Sequence, residues 1–417
     1  MPTPEQTAFH LVVAPDKFKG SLTATEVAHT IAEHFVGGFW HALDEGTRAR
    51  GLDTTGWGVV SVELPVADGG EGTVEAAVRS AGFRPVGAQV PGPTGSPVEA
   101  TYARDGDTAI VEMAQASGLD RLPGGVRAPL TASTRGTGDL VRLALDAGAR
   151  HVVLAVGGSA STDGGAGILR ALGGRLLDAA GRDLPDGGAA LLDLDRLDLS
   201  GLDPRLASVR WTLAADVDNP LLGPRGAAAV FGPQKGAGPA DVALLDRALT
   251  RFADVLAAAT GTEARDEPGA GAAGGVGFLA LGLLGATRRP GVEVVLELAG
   301  WEHRARDASL VVTGEGSFDE QSLGGKTPVG VAAAAARVPA PVVVVSGRRT
   351  LPEQRWRAAG FSDARALTDL EPDPAVCVRD ARRLLAELAA TLGAEHGARV
   401  AATWTRTGPA ATSTPAG

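Results

Sequence analysis

The chain has 417 residues, enough for two or three domains at about 150 residues each, and its hydrophobic share of 44% is too high for a disordered polymer. Glycine occurs 58 times, about twice the usual share, without the Gly-X-Y period of collagen, so the excess belongs to loops that need left-handed backbone or close approach to a ligand. A net charge of −10 leaves no basic footprint for nucleic acid or anionic lipid, and a single cysteine, Cys377, excludes an intrachain disulfide framework and a cysteine-rich zinc site.

In chain order, Met1–Phe9 lacks a basic start and an apolar core, so no secretory signal is expected and the protein is read as cytoplasmic. His10–Ala14 reads as a strand and Pro15–Ser21 as a loop. A helix capped by Thr23 or Thr25 follows, with Val27, Ala28, Ile31 and Phe35 at helical spacing. Gly37–Trp57 reads as an irregular surface excursion. Val59–Leu64 is the next strand, then the loop Pro65–Gly72 and a helix over Thr73–Ala81. This alternation predicts a parallel sheet with helices on its faces, whose ligands sit beyond the carboxyl ends of the strands.

The texture then changes. Turn signals at Gly92–Gly95 and Asp105–Asp107 make Val86–Met113 antiparallel. Thr137–Leu145 is a helix, His151–Val156 a buried strand and Ala166–Leu172 a helix; Asp183–Asp203 is loop-rich, Trp211–Ala215 a strand and Ala240–Ala259 a long helix. Pro268–Thr287 is uncharged and long enough on paper to span a bilayer, but its seven glycines and one proline mark a glycine-rich loop and a buried helix. The first pattern returns with strand Leu310–Thr313, helix Pro328–Arg337, strand Val342–Ser346 and a helix over Asp380–Ala390. The middle segment is therefore expected to be inserted into an α/β domain built from both ends of the chain, with residues 1–88 and 288–403 in one domain, 89–287 in the other, and 404–417 a disordered tail.

Five loops carry candidate chemistry. Only four of the 39 basic residues are lysines, and all four (Lys17, Lys19, Lys235 and Lys326) lie in or beside loops rich in Gly, Ser, Thr or Pro, where a compact ammonium binds phosphate well. Ala14-Pro-Asp-Lys-Phe-Lys-Gly-Ser21 places Asp16, Lys19 and Ser21 at a helix start, which favours an anion. Ala67-Asp-Gly-Gly-Glu-Gly-Thr73 sets Asp68 and Glu71 beside Gly69 and Gly70, suited to Mg²⁺ or a substrate hydroxyl. Gly157-Gly-Ser-Ala-Ser-Thr-Asp-Gly-Gly-Ala-Gly167 offers a phosphate nest from Gly157, Gly158 and Ser159, with Asp163 toward metal or substrate. Asp216-Val-Asp-Asn219 supplies oxygen ligands, with Lys235 in Phe231-Gly-Pro-Gln-Lys-Gly236. Finally, Glu315, Asp319 and Lys326 line the loop after the strand at Thr313, with Thr327 and Pro328 as N-cap and first helical residue. Gly269–Gly274 fits G-x-G-x-x-G literally but follows a charged, proline-containing stretch rather than a strand, and Gly325-Lys-Thr327 lacks the first glycine of a Walker A loop.

Anion-cradling glycines, lysines and clustered acids together suit phosphoryl transfer, which needs positioning, charge neutralisation and an acid to orient the acceptor. The segments APDKFKGSLTA, PVADGGEGT, GGSASTDGGAG, DVDNPLLG with FGPQKGA, GAGAAGGVG and TGEGSFDEQSLGGK, in this order, resemble the type 1 glycerate kinase family from about His10 to Leu385. The resemblance implies an ATP- and Mg²⁺-dependent kinase acting on D-glycerate, generally at the 2-hydroxyl. It also implies two α/β domains: a flavodoxin-like (Rossmann-like) three-layer parallel-sheet domain and an inserted mixed domain. Lys17 stands where the family often has Ser, Ser317 where it often has Arg, and Gly37–Trp57 is longer than usual. On this reading Lys19, Asp68, Asp163 and Lys235 are catalytic, with Asp68 the preferred base. Asp16, Ser21, Gly69, Gly70, Glu71, Gly157, Gly158, Ser159, Asp216, Asn219, Glu315, Asp319 and Lys326 bind substrate or nucleotide, Arg135 holds the glycerate carboxylate, and Asp163 and Asp216 are the candidate metal ligands. No nucleic-acid or membrane partner is expected, and the reading leaves room for a homodimer. The competing readings are a 3-kinase on the same scaffold, a nicotinamide-dependent hydroxy-acid dehydrogenase resting on Gly269–Gly274, and a non-catalytic small-molecule sensor.

Overall fold

The computed structural model describes residues 8–55, 57–405 and 408–409. The chain divides into two compact units, Met1–Ala67 with Leu296–Gly417, and Asp68–Val295.

The first unit is built on a five-stranded sheet, parallel throughout, in the spatial order Gly58–Glu63, Ala8–Pro15, Leu310–Phe318, Val342–Arg349, Asp363–Ala366. In sequence rank this is 2-1-3-4-5, the flavodoxin-like order, with its reversal point between Ala8–Pro15 and Leu310–Phe318. Runs such as Val342–Val345 and Leu310–Val312 are buried along their whole length, as strands covered on both faces require. Leu11, Val13, Leu310, Val312, Val343 and Val345 share a core with the helices Ala24–Arg48 and Ala381–Thr403. The alternate residues Val12, Val311 and Val344 are buried too, and helix Thr327–Ala335 packs on strand Leu310–Phe318.

Several sequence-based boundaries move. The helix capped by Thr23 continues to Arg48, through most of the stretch expected to be irregular. Its capping box is complete: Glu26 N donates to Thr23 Oγ1 at 3.2 Å and Thr23 N donates to Glu26 Oε2 at 2.9 Å. Its glycines serve helix contact rather than a loop. A Cβ on Gly38 would lie 2.1 Å from Ala390 O, and a Cβ on Gly393 or Gly397 of the facing helix would lie 2.1 Å from Phe35 O or 2.2 Å from Phe39 O. The expected disordered tail starts too early, because Trp404 is buried: its ring meets Trp57 edge-on at 5.1 Å and its Nε1 donates to Asp53 O at 3.2 Å. Residues 406–407 and 410–417 of that expected tail lie outside the described residues. The strand at Thr313 runs on to Phe318, so Glu315 and Ser317 belong to a strand end.

The second unit carries a six-stranded mixed sheet in the order Thr287–Arg289, Arg210–Ala214, His151–Ala155, Thr108–Glu112, Pro97–Asp105, Arg84–Pro91. The first four strands run parallel and the last two join antiparallel, as the turn signals predict. The division at Ala67/Asp68 and Val295/Leu296 differs from the sequence-based one at 88/89 and 287/288. Strand Arg84–Pro91 pairs with Pro97–Asp105, helix Thr73–Ala81 packs on Pro97–Asp105 and Thr108–Glu112, and Thr287–Arg289 is hydrogen-bonded to Arg210–Ala214. Among the described residues no helix is long and apolar enough to cross a membrane; the uncharged stretch Pro268–Thr287 holds the helix Ala272–Gly282.

Candidate active site

In the second unit, the loops beyond the carboxyl ends of strands His151–Ala155 and Arg210–Ala214 enclose a cavity of about 190 Å³. Asp68, Gly69, Gly70, Gly157, Gly158, Ser159, Asp216 and Lys235, all singled out from the sequence, line it. Glycine is required here because two backbones touch: Gly157 N donates to Gly69 O at 3.2 Å, and a Cβ on Gly157 would fall 2.5 Å from Gly70 Cα. Gly69 and Gly158 also hold left-handed φ values of 85° and 75°. The Asp68 side chain folds back to accept from Gly70 N at 3.2 Å, and Asp216 Oδ1 accepts from Gly291 N at 2.9 Å.

Lys235 is the cation of this cavity. It is 1% exposed; its Nζ donates to Ser159 Oγ at 2.9 Å and to Ser161 O at 2.5 Å. Burial lowers its pKa to about 7, and the Asp163 carboxylate opposes that shift. Such an ammonium is held by neutral oxygens in a desolvated wall, where its charge is weakly screened.

Asp163 is corrected from catalytic residue and metal ligand to loop anchor. It is wholly buried and does not line the cavity. Its Oδ2 accepts from Thr134 N and Thr134 Oγ1, both at 2.8 Å, and from Gly167 N at 3.2 Å; Oδ1 accepts from Gly165 N at 3.2 Å. It thereby ties the starts of helices Arg135–Asp146 and Ala166–Ala171 together. Burial pushes its carboxyl up while these four donors pull it down. Asn219 also serves the backbone, donating from Nδ2 to Arg225 O at 2.8 Å. Arg135 opens its helix with Nε 3.9 Å from Asp139 Oδ2, and neither Arg135, Asn219 nor Glu71 lines the cavity.

The sequence reading missed four features. Glu112, 1% exposed, accepts from Gly72 N and Val74 N at 3.2 and 2.9 Å and so holds the start of helix Thr73–Ala81. Phe231 and Gln234 line the cavity, as does Ala273, which has a left-handed φ of 52°, rare for a residue with a Cβ. The Gly-Gly pair after Ala273 was its only signal. The G-x-G-x-x-G stretch packs backbone on backbone: a Cβ on Gly271 would meet Pro220 O at 2.3 Å, and one on Gly274 would meet Ser161 O at 2.2 Å.

In the first unit, Asp16, Glu315, Asp319 and Lys326 gather at the carboxyl ends of strands Ala8–Pro15 and Leu310–Phe318. Asp16 Oδ2 accepts from Thr327 Oγ1 at 3.0 Å and Oδ1 from Lys17 N at 2.6 Å. Thr327 is thus a ligand of Asp16, and Lys326, not Thr327, occupies the N-cap of helix Thr327–Ala335. Glu315 is 7% exposed with Oε1 lacking a partner among the described residues. Burial raises its pKa to about 7; Ser322 and Lys326 oppose the shift, and Asp16 and Asp319 add to it. Asp319 accepts from Ser317 Oγ at 3.1 Å and from Gln321 N at 2.9 Å. Arg348, across the sheet from Ser317, donates to its hydroxyl at 3.2 Å, so a guanidinium stands beside that position. The Ser21 hydroxyl closes its own turn on Phe18 O at 3.0 Å, and Lys19 is exposed.

Residues 11–396 match the model of the glycerate kinase family. The chain belongs to the glycerate kinase family. A Bacillus subtilis (strain 168) glycerate kinase is 47% identical over 339 residues, 81% of this chain and 84% of that protein. A glycerate 2-kinase of Escherichia coli (strain K12) is 43% identical over 342 residues, covering 82% and 85%. The crystal structure of a Salmonella typhimurium LT2 protein assigned as glycerate kinase 2 superposes with a TM-score of 0.76 at 41% identity, covering 93% of this chain and 99% of that one. The family is one of phosphotransferases, and the chain is an enzyme of that class. Among the described residues no three His, Cys, Asp or Glu side chains form a metal cage. Mg²⁺ commonly binds through one or two carboxylates plus substrate phosphates, and the carboxylates of Asp68 and Asp216 on one cavity fit that donor set.

Proposed function

We propose that the chain transfers the γ-phosphoryl group of ATP to the 2-hydroxyl of D-glycerate, giving 2-phosphoglycerate. The observation that carries this reading is the buried Lys235 ammonium in a glycine-lined cavity that also holds two carboxylates. Lys235 neutralises charge on the transferring group, and the close-packed glycine loops keep side chains out of the space it occupies. Asp68 accepts the proton of the attacking hydroxyl, and Asp216 would hold Mg²⁺, which when bound neutralises phosphate charge. In the flavodoxin-like unit, Lys19 and Lys326 bind anionic ligand atoms, with Asp16, Asp319 and Glu315 around them. The regiochemistry rests on the E. coli relative, whose name specifies the 2-kinase.

The test is turnover of ATP and Mg²⁺ with D-glycerate, with the product read by phosphorus NMR. The 2-phosphate is expected; the 3-phosphate would overturn the regiochemistry, and no ATP consumption would overturn the reading. Lys19→Ala should lower kcat at least a hundredfold with an unchanged circular-dichroism spectrum, and unchanged turnover would remove Lys19 from the mechanism.

A further inference from the structure

A second cavity, also about 190 Å³, opens at the carboxyl ends of the parallel sheet in the flavodoxin-like unit. Pockets for whole ligands run to about 300–1,000 Å³, so this one is sized for a ring rather than an entire cofactor. It spans the point where the strand order reverses, where open α/β sheets take their ligands. Its walls are mainly apolar and come from separate elements: Phe18 after the first strand, Leu367 after the last, and Cys377 and Val378 from helix Pro374–Arg379, with Ser21, Ser317 and Thr368 also on the lining. Phe18, Leu367 and Cys377 are buried, whereas Val378 is 51% exposed and forms the rim. Two cations, Lys19 and Arg348, line the same cavity, and both are exposed. The backbone between them is pared to glycine, since a Cβ on Gly347 would lie 2.6 Å from Gly316 O.

An apolar slot with two cations at its mouth complements a ligand that is a flat apolar ring at one end and anionic at the other. We propose that this pocket receives the purine base of the nucleotide, walled by Phe18, Leu367, Cys377 and Val378, with Lys19 and Arg348 facing its phosphates. This rests on the kinase reading above and goes beyond it by locating the donor's base in the flavodoxin-like unit.

The test uses the full-length chain. Cys377 is its single cysteine and lines this pocket, so alkylation by N-ethylmaleimide, followed by intact mass, reads ligand protection at one known position. Adenosine and ADP should each slow the reaction at least fivefold, and inorganic triphosphate should leave it unchanged. Val378→Trp, at an exposed rim position, should raise the KM for ATP at least tenfold and hold that for D-glycerate within twofold. Alkylation insensitive to ADP, slowing by triphosphate alone, or a KM for ATP within twofold of wild type in V378W overturns the base assignment while leaving the kinase reading intact. A wild-type chain that consumes no ATP with D-glycerate overturns both.

Discussion

Lys235 shows how a single side chain can be costly to the fold and useful to the chemistry. Burying an ammonium disfavours its charged form, and the two oxygens that receive its protons are neutral. Lys235→Met keeps the apolar stem and removes that penalty. We expect kcat/KM to fall at least a hundredfold while the thermal midpoint near neutral pH holds or rises, measured by coupled assay and calorimetry. A large fall in the midpoint would instead make the ammonium a structural tie between Ser159 and Ser161. The sequence exposed Lys235 because lysine is so rare among its basic residues. Asp163 misled for a matching reason: a carboxylate in a glycine-rich loop reads the same whether it faces a ligand or its own backbone. Only the packed structure reveals that Thr134, a residue far away in sequence, claims it. Glu112 was invisible because its partners lie about forty residues upstream.

Glycine carries most of the geometry at the level of elements, and neighbouring glycines differ in what they do. Gly37 and Gly38 sit side by side in helix Ala24–Arg48; nothing lies within 4 Å of a Cβ on Gly37, whereas one on Gly38 would lie 2.1 Å from Ala390 O. Gly37→Ala should therefore stabilise by roughly 0.5–1 kcal/mol through helix propensity. Gly38→Ala should destabilise by about 1–3 kcal/mol by forcing the helices apart. Urea unfolding followed by circular dichroism separates the two, and equal signs would refute the helix-contact account. Gly157→Ala pushes on Gly70 in the same way at the cavity, so it should lower kcat/KM at least tenfold as well as stability. The alternation of strand, loop and helix was readable because its period is local. The extension of the first helix was not, because the same glycine pair signals a loop in isolation and a close helix crossing once the second helix is present. The strand Asp363–Ala366 escaped for a related reason: its charged residues alternate with alanines too small to register as a hydrophobic run.

For the whole molecule, a chain of net charge −10 keeps its few lysines for two loop clusters, three in the flavodoxin-like unit and Lys235 in the other. Glu315 and Lys235, one in each unit, are buried groups whose pKa burial moves to about 7. Glu315 moves from 4.5 to about 7 on folding, so between those values the folded state holds a proton that the unfolded chain has released. Stability then falls as pH rises through that window, by roughly 3 kcal/mol for a shift of this size. Lys235 moves from 10.5 to about 7, so between about 7 and 10.5 the unfolded chain holds the extra proton and stability rises with pH. The sum of these two contributions is lowest near pH 7. Glu315→Gln should remove the fall on the acid side, so that the variant gains on wild type as pH climbs from 4.5 to 7. Lys235→Met should remove the rise on the alkaline side. Thermal midpoints of the three proteins across pH 4.5–10.5 would read both effects independently, and parallel profiles in all three would show that neither group titrates where its burial places it.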